Sequence, residues 1–366
     1  MKASFDVAVA GAGPAGLATA IFAARAGLAT VVCERNADPP DKACGEGLMP
    51  AGVRVLDALG ARSYITAGDC APFEGIRYVQ EDGSATEGRL PDGGGLGIRR
   101  TALTSALARR AVECGVELRW SCPVEDLVTA DRAVTLRTPG GAVTAGVCVA
   151  ADGLHSHLRR RAGLDGPAPR LRRFGLRQHF RVPPWSRFVE VHLTPGVEAF
   201  VTPAGVSRVG VAFLWEIGKV TGAVTVESFL QRFPALRARL ADAAADSRPR
   251  GAGPLAQTAR SPIADRLVLV GDAAGYADAI TGEGLSLAFV CAQALGSILP
   301  AALERGATRA ALVPYERFFA GTFRRYVMVC RCVLGLARRP LLRRHALHFL
   351  GHHPRLFDHL IKLALA

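Results

Sequence analysis

Two glycine-rich stations, set far apart, constrain this chain more than any other feature. Asp6-Val-Ala-Val-Ala-Gly11-Ala-Gly13-Pro14-Ala15-Gly16 opens it. Leu267-Val-Leu-Val-Gly271-Asp272-Ala-Ala-Gly275 comes much later and is followed by Thr281-Gly282-Glu283-Gly284-Leu285. The first station follows an apolar run of strand character and opens a helical one. Gly11 then permits the tight turn, Gly13 lets the backbone approach a pyrophosphate, and Gly16 lets helix pack closely on strand. Pro14 and Ala15 fall in the first helical turn, where free N–H groups and a partial positive charge favour phosphates. In this strand–turn–helix setting the pattern specifies dinucleotide binding, and a purely structural turn is the weaker alternative.

Glu34 ends the next strand, residues 29–34, where an acid binds a ribose hydroxyl pair; with Arg35 beside it, it joins the candidate cofactor-binding set. An acid there argues against a ribose 2′-phosphate. One station leaves the nucleotide unspecified, but a second strand ending in Gly271-Asp272 points to FAD stretched across one domain. Asp272 is placed to accept from the ribityl chain, or to cap the segment after it. Gly282, Gly284 and Leu285 open a helix whose N-terminus, set near the isoalloxazine, would stabilise negative charge on the flavin N1–C2=O edge.

Composition narrows the rest. A chain of 366 residues that is 49% hydrophobic and 21% charged is globular, with room for more than one subdomain. No stretch reaches the roughly 20 uncharged apolar residues of a membrane span, and the N-terminus runs straight into a strand without signal-peptide features. The nine cysteines are scattered, without a Cys-x-x-Cys or His-rich spacing, so neither a disulfide framework nor a metal site is expected. A cytoplasmic location is the simplest expectation. The net charge of +13 is unevenly spread: between residues 315 and 366, ten Lys/Arg from Arg317 to Lys362 are opposed only by Glu316 and Asp358. Leu334, Leu336, Leu341, Leu342, Leu347, Phe349, Leu350 and Leu356 interleave with them. A basic amphipathic segment attracts anionic lipid heads or an acidic partner, which predicts peripheral contact at the inner face of a membrane; a solvated helical tail is the competing reading. Nucleic acid is not expected as a partner, because no binding module accompanies the charge.

Along the chain, residues 5–10 and 29–34 read as strands around a helix at 14–26, a βαβ start that predicts a parallel sheet. Residues 52–59 and 101–114 read as helices. Residues 75–79, 117–121, 133–138 and 142–150 read as strands, and 92–97 as a flexible glycine turn. From 174 to 215, alternating runs bounded by Pro183-Pro184, Pro195-Gly196 and Pro203-Ala-Gly205 predict an antiparallel sheet of hairpins. Helices are expected at 225–233, 236–244 and 285–299. The fold class is therefore α/β: a Rossmann-type FAD-binding domain, an interleaved antiparallel β-sheet substrate domain and a helical C-terminus. Residues 1–75, 97–170 and 258–314 would form the first, 76–96 and 171–257 the second, and 315–366 the basic helical segment.

Three segments together resemble the fingerprints of group A flavoprotein monooxygenases and their relatives, which share the para-hydroxybenzoate hydroxylase fold. They are Ala10–Gly16, Ala151-Asp152-Gly153-Leu-His-Ser156-His-Leu-Arg159, and Gly271-Asp272-Ala-Ala-Gly275, and they match in order and spacing over nearly the whole chain. Lys42-Ala-Cys44-Gly-Glu46-Gly47, with the Thr281–Gly284 loop, is similar to the geranylgeranyl reductase branch, which lies close to flavin-dependent halogenases and hydroxylases. The Trp-x-Trp-x-Ile-Pro pattern of halogenases is absent, so halogenation ranks low. The resemblance implies that Gly11, Gly13, Gly16 and Glu34 bind the ADP half and that Arg100 contacts the pyrophosphate. Val124 would offer its backbone to adenine, Asp272 would bind the ribityl chain, and Gly284 and Leu285 would approach the ring. Asp152 and Gly153 would serve FAD and a reductant, NADH or NADPH, with no separate nicotinamide domain. Lys42 and Cys44 fall in the loop counted with this site.

Cys44 is the one catalytic candidate: a thiol near the flavin that would donate a proton to a substrate carbon, its acidity raised by Lys42. The alternative is a small loop residue packed against the cofactor. His155 and His157 read as surface or capping residues. His179 and His192 lie on the substrate sheet; alternation puts His192 with Glu190 and away from Val191 and Leu193, as a solvent-facing side chain, and Tyr276 and Asp278 are placed to touch substrate or flavin. Three functions are compatible. The favoured one is an NAD(P)H-dependent monooxygenase hydroxylating or epoxidising a lipophilic aromatic, polyketide or isoprenoid-like molecule in a dry pocket, in the setting of secondary metabolism. The second is a geranylgeranyl reductase-like enzyme acting on prenyl or enone C=C bonds with Cys44 as donor. The third is a non-catalytic flavin- or lipid-binding protein.

Overall fold

The computed structural model describes residues 4–169 and 171–365. Phe5–Ala10 lies at the centre of the first sheet, paired in parallel with Thr30–Cys33 on one side and Gly141–Ala150 on the other; Leu267–Leu269 continues the parallel set beyond Gly141–Ala150. These strands are buried on both faces, which is why they read as unbroken apolar runs. Helices α1 (Pro14–Arg25), α2 (Pro50–Leu59) and α3 (Arg100–Glu113) contribute to the same core. Proline presets the first turn of α1 and of α2, and α2 stops at Gly60, whose φ of 71° is left-handed. The short α4 (His157–Arg161) follows the Asp152-Gly153 turn and is capped by the Ser156 hydroxyl.

The second sheet is mostly antiparallel. Arg173–Arg181, Val209–Glu216, Val197–Pro203 and Phe188–Thr194 are neighbours in that order, and Gly75–Val79 and Ala85–Arg89 complete it by a parallel pairing with Phe188–Thr194. Both of its faces are covered. Helices α5 (Val226–Leu230) and α6 (Pro234–Arg239) close one face over Phe213, Phe229 and Leu236. The other face packs Val191, Leu193, Phe200 and Leu214 against Tyr326, Cys330 and Leu334. A sheet buried on both sides overrides alternation as an index of exposure. His192 is accordingly buried, not solvent-facing: its Nε2 lies 3.0 Å from Glu190 Oε2 and its ring meets Phe233 edge-on.

Three local readings also change. Only Asp92, Gly93 and Gly94 take left-handed turn geometry; Gly95–Ile98 is a strand between Gly47–Leu48 and Cys70–Phe73. A Cβ on Gly97 would overlap the Pro203 carbonyl, so that glycine serves close approach between the sheets rather than flexibility. Helix α7 (Gly284–Glu304) is long and apolar enough to cross a membrane, against the expectation that no stretch would be. It is the central helix of the first domain, half buried, with Gly296 against Phe22 of α1. The helical arm begins before Tyr315, because α8 runs unbroken from Arg309 to Ala337. Helices α9 (Pro340–His352) and α10 (Pro354–Leu365) then fold back onto Ala85–Arg89.

Candidate active site

The cradle at the first station is defined by what it excludes. Gly11 has φ 108°, and a Cβ there would lie 2.6 Å from the Ala151 carbonyl oxygen. A Cβ on Gly16 would overlap the Gly11 carbonyl and lie 3.2 Å from Val9. The turn, its helix and the Ala151-Asp152 segment are thus in close contact, and nothing bulkier than hydrogen fits. Glu34 is buried; its Oε2 accepts from the Ala12 N–H at 2.8 Å and its Oε1 from the Asn36 N–H at 3.0 Å. Cys122 donates to the Glu34 carbonyl at 2.7 Å, which lays the segment leading to Val124 along the same end of the cradle. Arg35 is exposed there.

The second station closes on the first. Gly271 takes φ 57°, and a Cβ on it would come within 2.7 Å of the Ala15 methyl. Burial pushes the Asp272 carboxyl up, and the opposing pull comes from Arg100 and Lys42, so groups from three separate stretches share one space. Lys42 is held below the usual lysine range by desolvation and by Arg100 and Arg35. Arg100 also reaches within 3.9 Å of the Gly13 Cβ position. A cavity beside Asp272 is bounded by Gly271, Tyr276, Gly284, Leu287 and Ala288. Gly282 is left-handed at φ 68°, and Leu285 lies in the first turn of α7. Asp152 Oδ2 accepts from the Leu158 N–H at 3.1 Å, while Oδ1 is buried without a partner; Gly153 turns beside it at φ 85°.

FAD fits these residues. The glycine cradle has room for a phosphate backbone and no side chain, Arg100 stands over it, Asp272 brings a carboxylate to the same space, and Asp152 brings a buried acceptor oxygen with no partner among the described residues. Glu283 stands at the N-cap position of α7 without a side-chain cap bond, and its buried Oε2 has no partner among the described residues. Desolvation pushes its carboxyl up to about 7, although Thr281 and Arg325 pull the other way.

Cys44 lies between Arg100, whose Nη1 is 3.8 Å from the sulfur, and the Glu46 N–H, which donates to it at 3.3 Å. Lys42 does not acidify it. Burial pushes the thiol up, beyond what Arg100 can offset, so the group is a thiol and not a thiolate at neutral pH. Immediately behind it is a buried polar cluster that joins the domains. Glu46, left-handed at φ 60°, accepts at Oε1 from the Arg100 N–H at 2.8 Å and meets His179 Nε2 at 2.5 Å through Oε2. His179 Nδ1 lies 2.9 Å from the Ser247 hydroxyl and 3.0 Å from Arg177 Nη1. Arg177 is fully buried and pairs with Asp41 at 2.6 Å. Arg99 Nη1 lies 3.1 and 3.2 Å from the two ring nitrogens, a geometry only possible above the ring face. Desolvation, with Arg177 and Arg99, holds His179 below the usual histidine range despite Glu46. The neutral imidazole therefore donates from Nε2 to a Glu46 carboxylate, which His179 and Arg177 hold below its usual range against burial.

Of the sheet histidines, His179 thus faces the site, and Glu46, Asp41, Arg99 and Arg177 were missed. The available signal was Arg173-x-Gly175-x-Arg177-x-His179, with three basic side chains sharing one face of a strand. Asp278 pairs with Arg173 at 3.0 Å, and Arg173 pairs with Glu198 at 2.7 Å, all three buried. Tyr276 does reach the site, its ring against Gly284. His155 and His157 are exposed. Among the described residues no cluster could hold a metal.

A two-station cradle on a parallel sheet, with a second sheet closing over it, defines a flavin dinucleotide-binding fold. Residues 4–319 match the FAD binding domain family, and the chain belongs to it. It is an FAD-dependent oxidoreductase. It is 28% identical over 341 residues to digeranylgeranylglycerophospholipid reductase 2 of Methanopyrus kandleri, covering 87% of this chain and 84% of the relative. Its fold is shared with halogenase PltM, solved in complex with phloroglucinol and FAD, at TM-score 0.80 and 18% identity over 98% of this chain and 86% of that one. It is shared equally with a geranylgeranyl bacteriochlorophyll reductase-like protein of Thermoplasma acidophilum, at TM-score 0.76 and 21% identity over 98% and 91%.

Proposed function

We propose that this protein reduces C=C bonds of an isoprenoid chain, with NADH or NADPH as the source of electrons. The observation that carries the reading is Cys44, a thiol kept protonated by burial in the loop that meets the flavin-binding residues. Curated relatives named for geranylgeranyl lipids, aligned along most of the chain, support it. They favour the reductase over monooxygenation, toward which the sequence alone leaned.

FAD, when bound and reduced, supplies hydride to one alkene carbon. The other carbon needs a proton, and Cys44 Sγ holds one at neutral pH. A thiolate would be unable to supply it, so a raised thiol fits the task better than the acidified one expected from Lys42. Arg100 Nη1, 3.8 Å from the sulfur, stabilises the thiolate left behind. Glu283, pushed up to about 7, is a second group at the site that holds a proton near neutrality. Tyr276, Leu287 and Ala288 give an apolar wall that excludes water.

The test is single turnover without air. Protein reduced by NADPH is mixed with a geranylgeranyl lipid, and the product is weighed by mass spectrometry. Gain of hydrogen alone is expected, with FAD retained and turnover slowed by about 100-fold in Cys44→Ala. Oxygen taken up from labelled dioxygen in aerobic runs, with no hydrogenated product in either, would overturn the reading in favour of a monooxygenase.

A further inference from the structure

Helices α9 and α10 leave an apolar surface that none of the described residues covers. Their inner faces are spent on the strand Ala85–Arg89: Phe357 and Ile361 pack over Gly88, and Thr86 donates its hydroxyl to the Leu347 carbonyl at 2.9 Å. Arg343, buried beneath α9, pairs with Glu81 at 2.7 Å. With both helices seated on one strand by these faces, their outer faces look away from the same side of the sheet. Leu341 (75% exposed) and Phe349 (53%) stand two turns apart on α9, with Leu342 (54%) beside them. Leu356, Leu360 and Leu363 (55%) follow at helical spacing on α10.

The charges on this face are selected by sign. Asp358 is turned inward, accepting from the Arg89 N–H at 2.6 Å, and Glu316 is taken by Arg309 at 3.0 Å. Arg355 and Lys362 have no carboxylate partner among the described residues, and Arg344 shares Glu81 with Arg343. Leucine and phenylalanine standing out between unpaired cations match an interface whose surface is anionic and whose next layer is hydrocarbon. A protein partner of acidic character would match the cations but not six large apolar side chains spread over two helices.

We propose that the outer face of α9 and α10 docks on an anionic lipid membrane, with the leucines and Phe349 entering the headgroup boundary and Arg355 and Lys362 contacting lipid phosphates. The inference rests on this surface and not on the reaction.

Holoprotein is spun down with vesicles of phosphatidylglycerol and phosphatidylcholine in equal parts, with vesicles of phosphatidylcholine alone as the comparison. The expected result is pelleting with the anionic vesicles, weakened by salt, and a loss of roughly tenfold or more in Leu341→Glu/Phe349→Glu/Leu360→Glu. These positions are exposed, so the variant keeps its flavin content and thermal midpoint, which are checked alongside. Arg355→Glu/Lys362→Glu weakens binding to anionic vesicles only. Wild-type protein left in the supernatant, or a triple variant that pellets as well as wild type, overturns the proposal. So does a wild-type dimer that the triple variant dissociates without changing vesicle binding.

Discussion

The dinucleotide cradle and the domain junction behind Cys44 keep their shapes by opposite means. In the cradle, Gly11, Gly16 and Gly271 bring backbone against backbone, and what matters is the absence of side-chain atoms. At the junction, Glu46, His179, Arg177, Arg99 and Asp41 fill a buried space with charge, and what matters is that each charge has its partner. A steric device fails when atoms are added; an electrostatic one fails when they are removed.

The largest expected effect follows from the first. Gly16→Val places atoms inside the Gly11 carbonyl, and backbone cannot give way as a flexible side chain does. A cost of about 3 kcal/mol and loss of bound flavin are expected, read from the thermal midpoint and the flavin-to-protein absorbance ratio. Gly27, just past the other end of α1, is the contrast: it is left-handed, at φ 82°, where Gly16 is helical, and it has nothing within 4 Å. Gly27→Ala should cost only about 1 kcal/mol of backbone strain and keep its flavin. Equal losses in the two variants would mean that close approach at Gly16 costs no more than backbone strain at an open turn, and that the cradle is not shaped by it.

That contrast explains what could be read from the chain alone. The cradle is written in residues adjacent in sequence, so its spacing carries its geometry. The junction unites Glu46 with His179 and Asp41 with Arg177, pairs more than a hundred residues apart, and no local pattern announces them. His192 was misread for a related reason: alternation shows which residues share a face, but not that α5 and α6 cover that face. The acidity of Cys44 was inferred from its neighbour Lys42, whereas the enclosure that decides it is a property of the packed fold.

At the junction, removal should hurt. Glu46→Ala leaves Arg177 and Arg99 with Asp41 as their nearby carboxylate and takes the acceptor from His179. A loss of about 3 kcal/mol is expected in urea unfolding, since breaking one partner of a buried ion pair strands the other. Glu46→Gln keeps an acceptor for the imidazole and should lose less. If Glu46→Ala behaves as a surface change, within about 0.5 kcal/mol, the cluster does not hold the domains together.

The smallest effect singles out the junction, because His179 belongs to it and not to the cradle. His179 is neutral in the fold, held below the usual histidine range by desolvation and by Arg177 and Arg99. The unfolded chain takes up that proton below about pH 6.5, so in this window the unfolded state binds more protons and stability falls as pH falls. Glu46, held low, adds a second loss in the same direction at lower pH, present above about 4.3 and lost as pH drops through its folded value. Glu283 has the opposite sign: its folded value of about 7 exceeds its unfolded one, so its contribution improves as pH falls through 7. The whole-protein profile mixes these terms, and the readable quantity is the difference between wild type and His179→Asn, in which Glu283 cancels. That difference should shrink steadily from pH 7 to pH 5 in thermal midpoint measurements. A difference that grows as pH falls would mean that His179 is protonated in the fold, which would make its bond to Glu46 an ion pair rather than a donation from neutral imidazole, and a difference that does not change with pH would mean that the fold leaves the histidine unshifted.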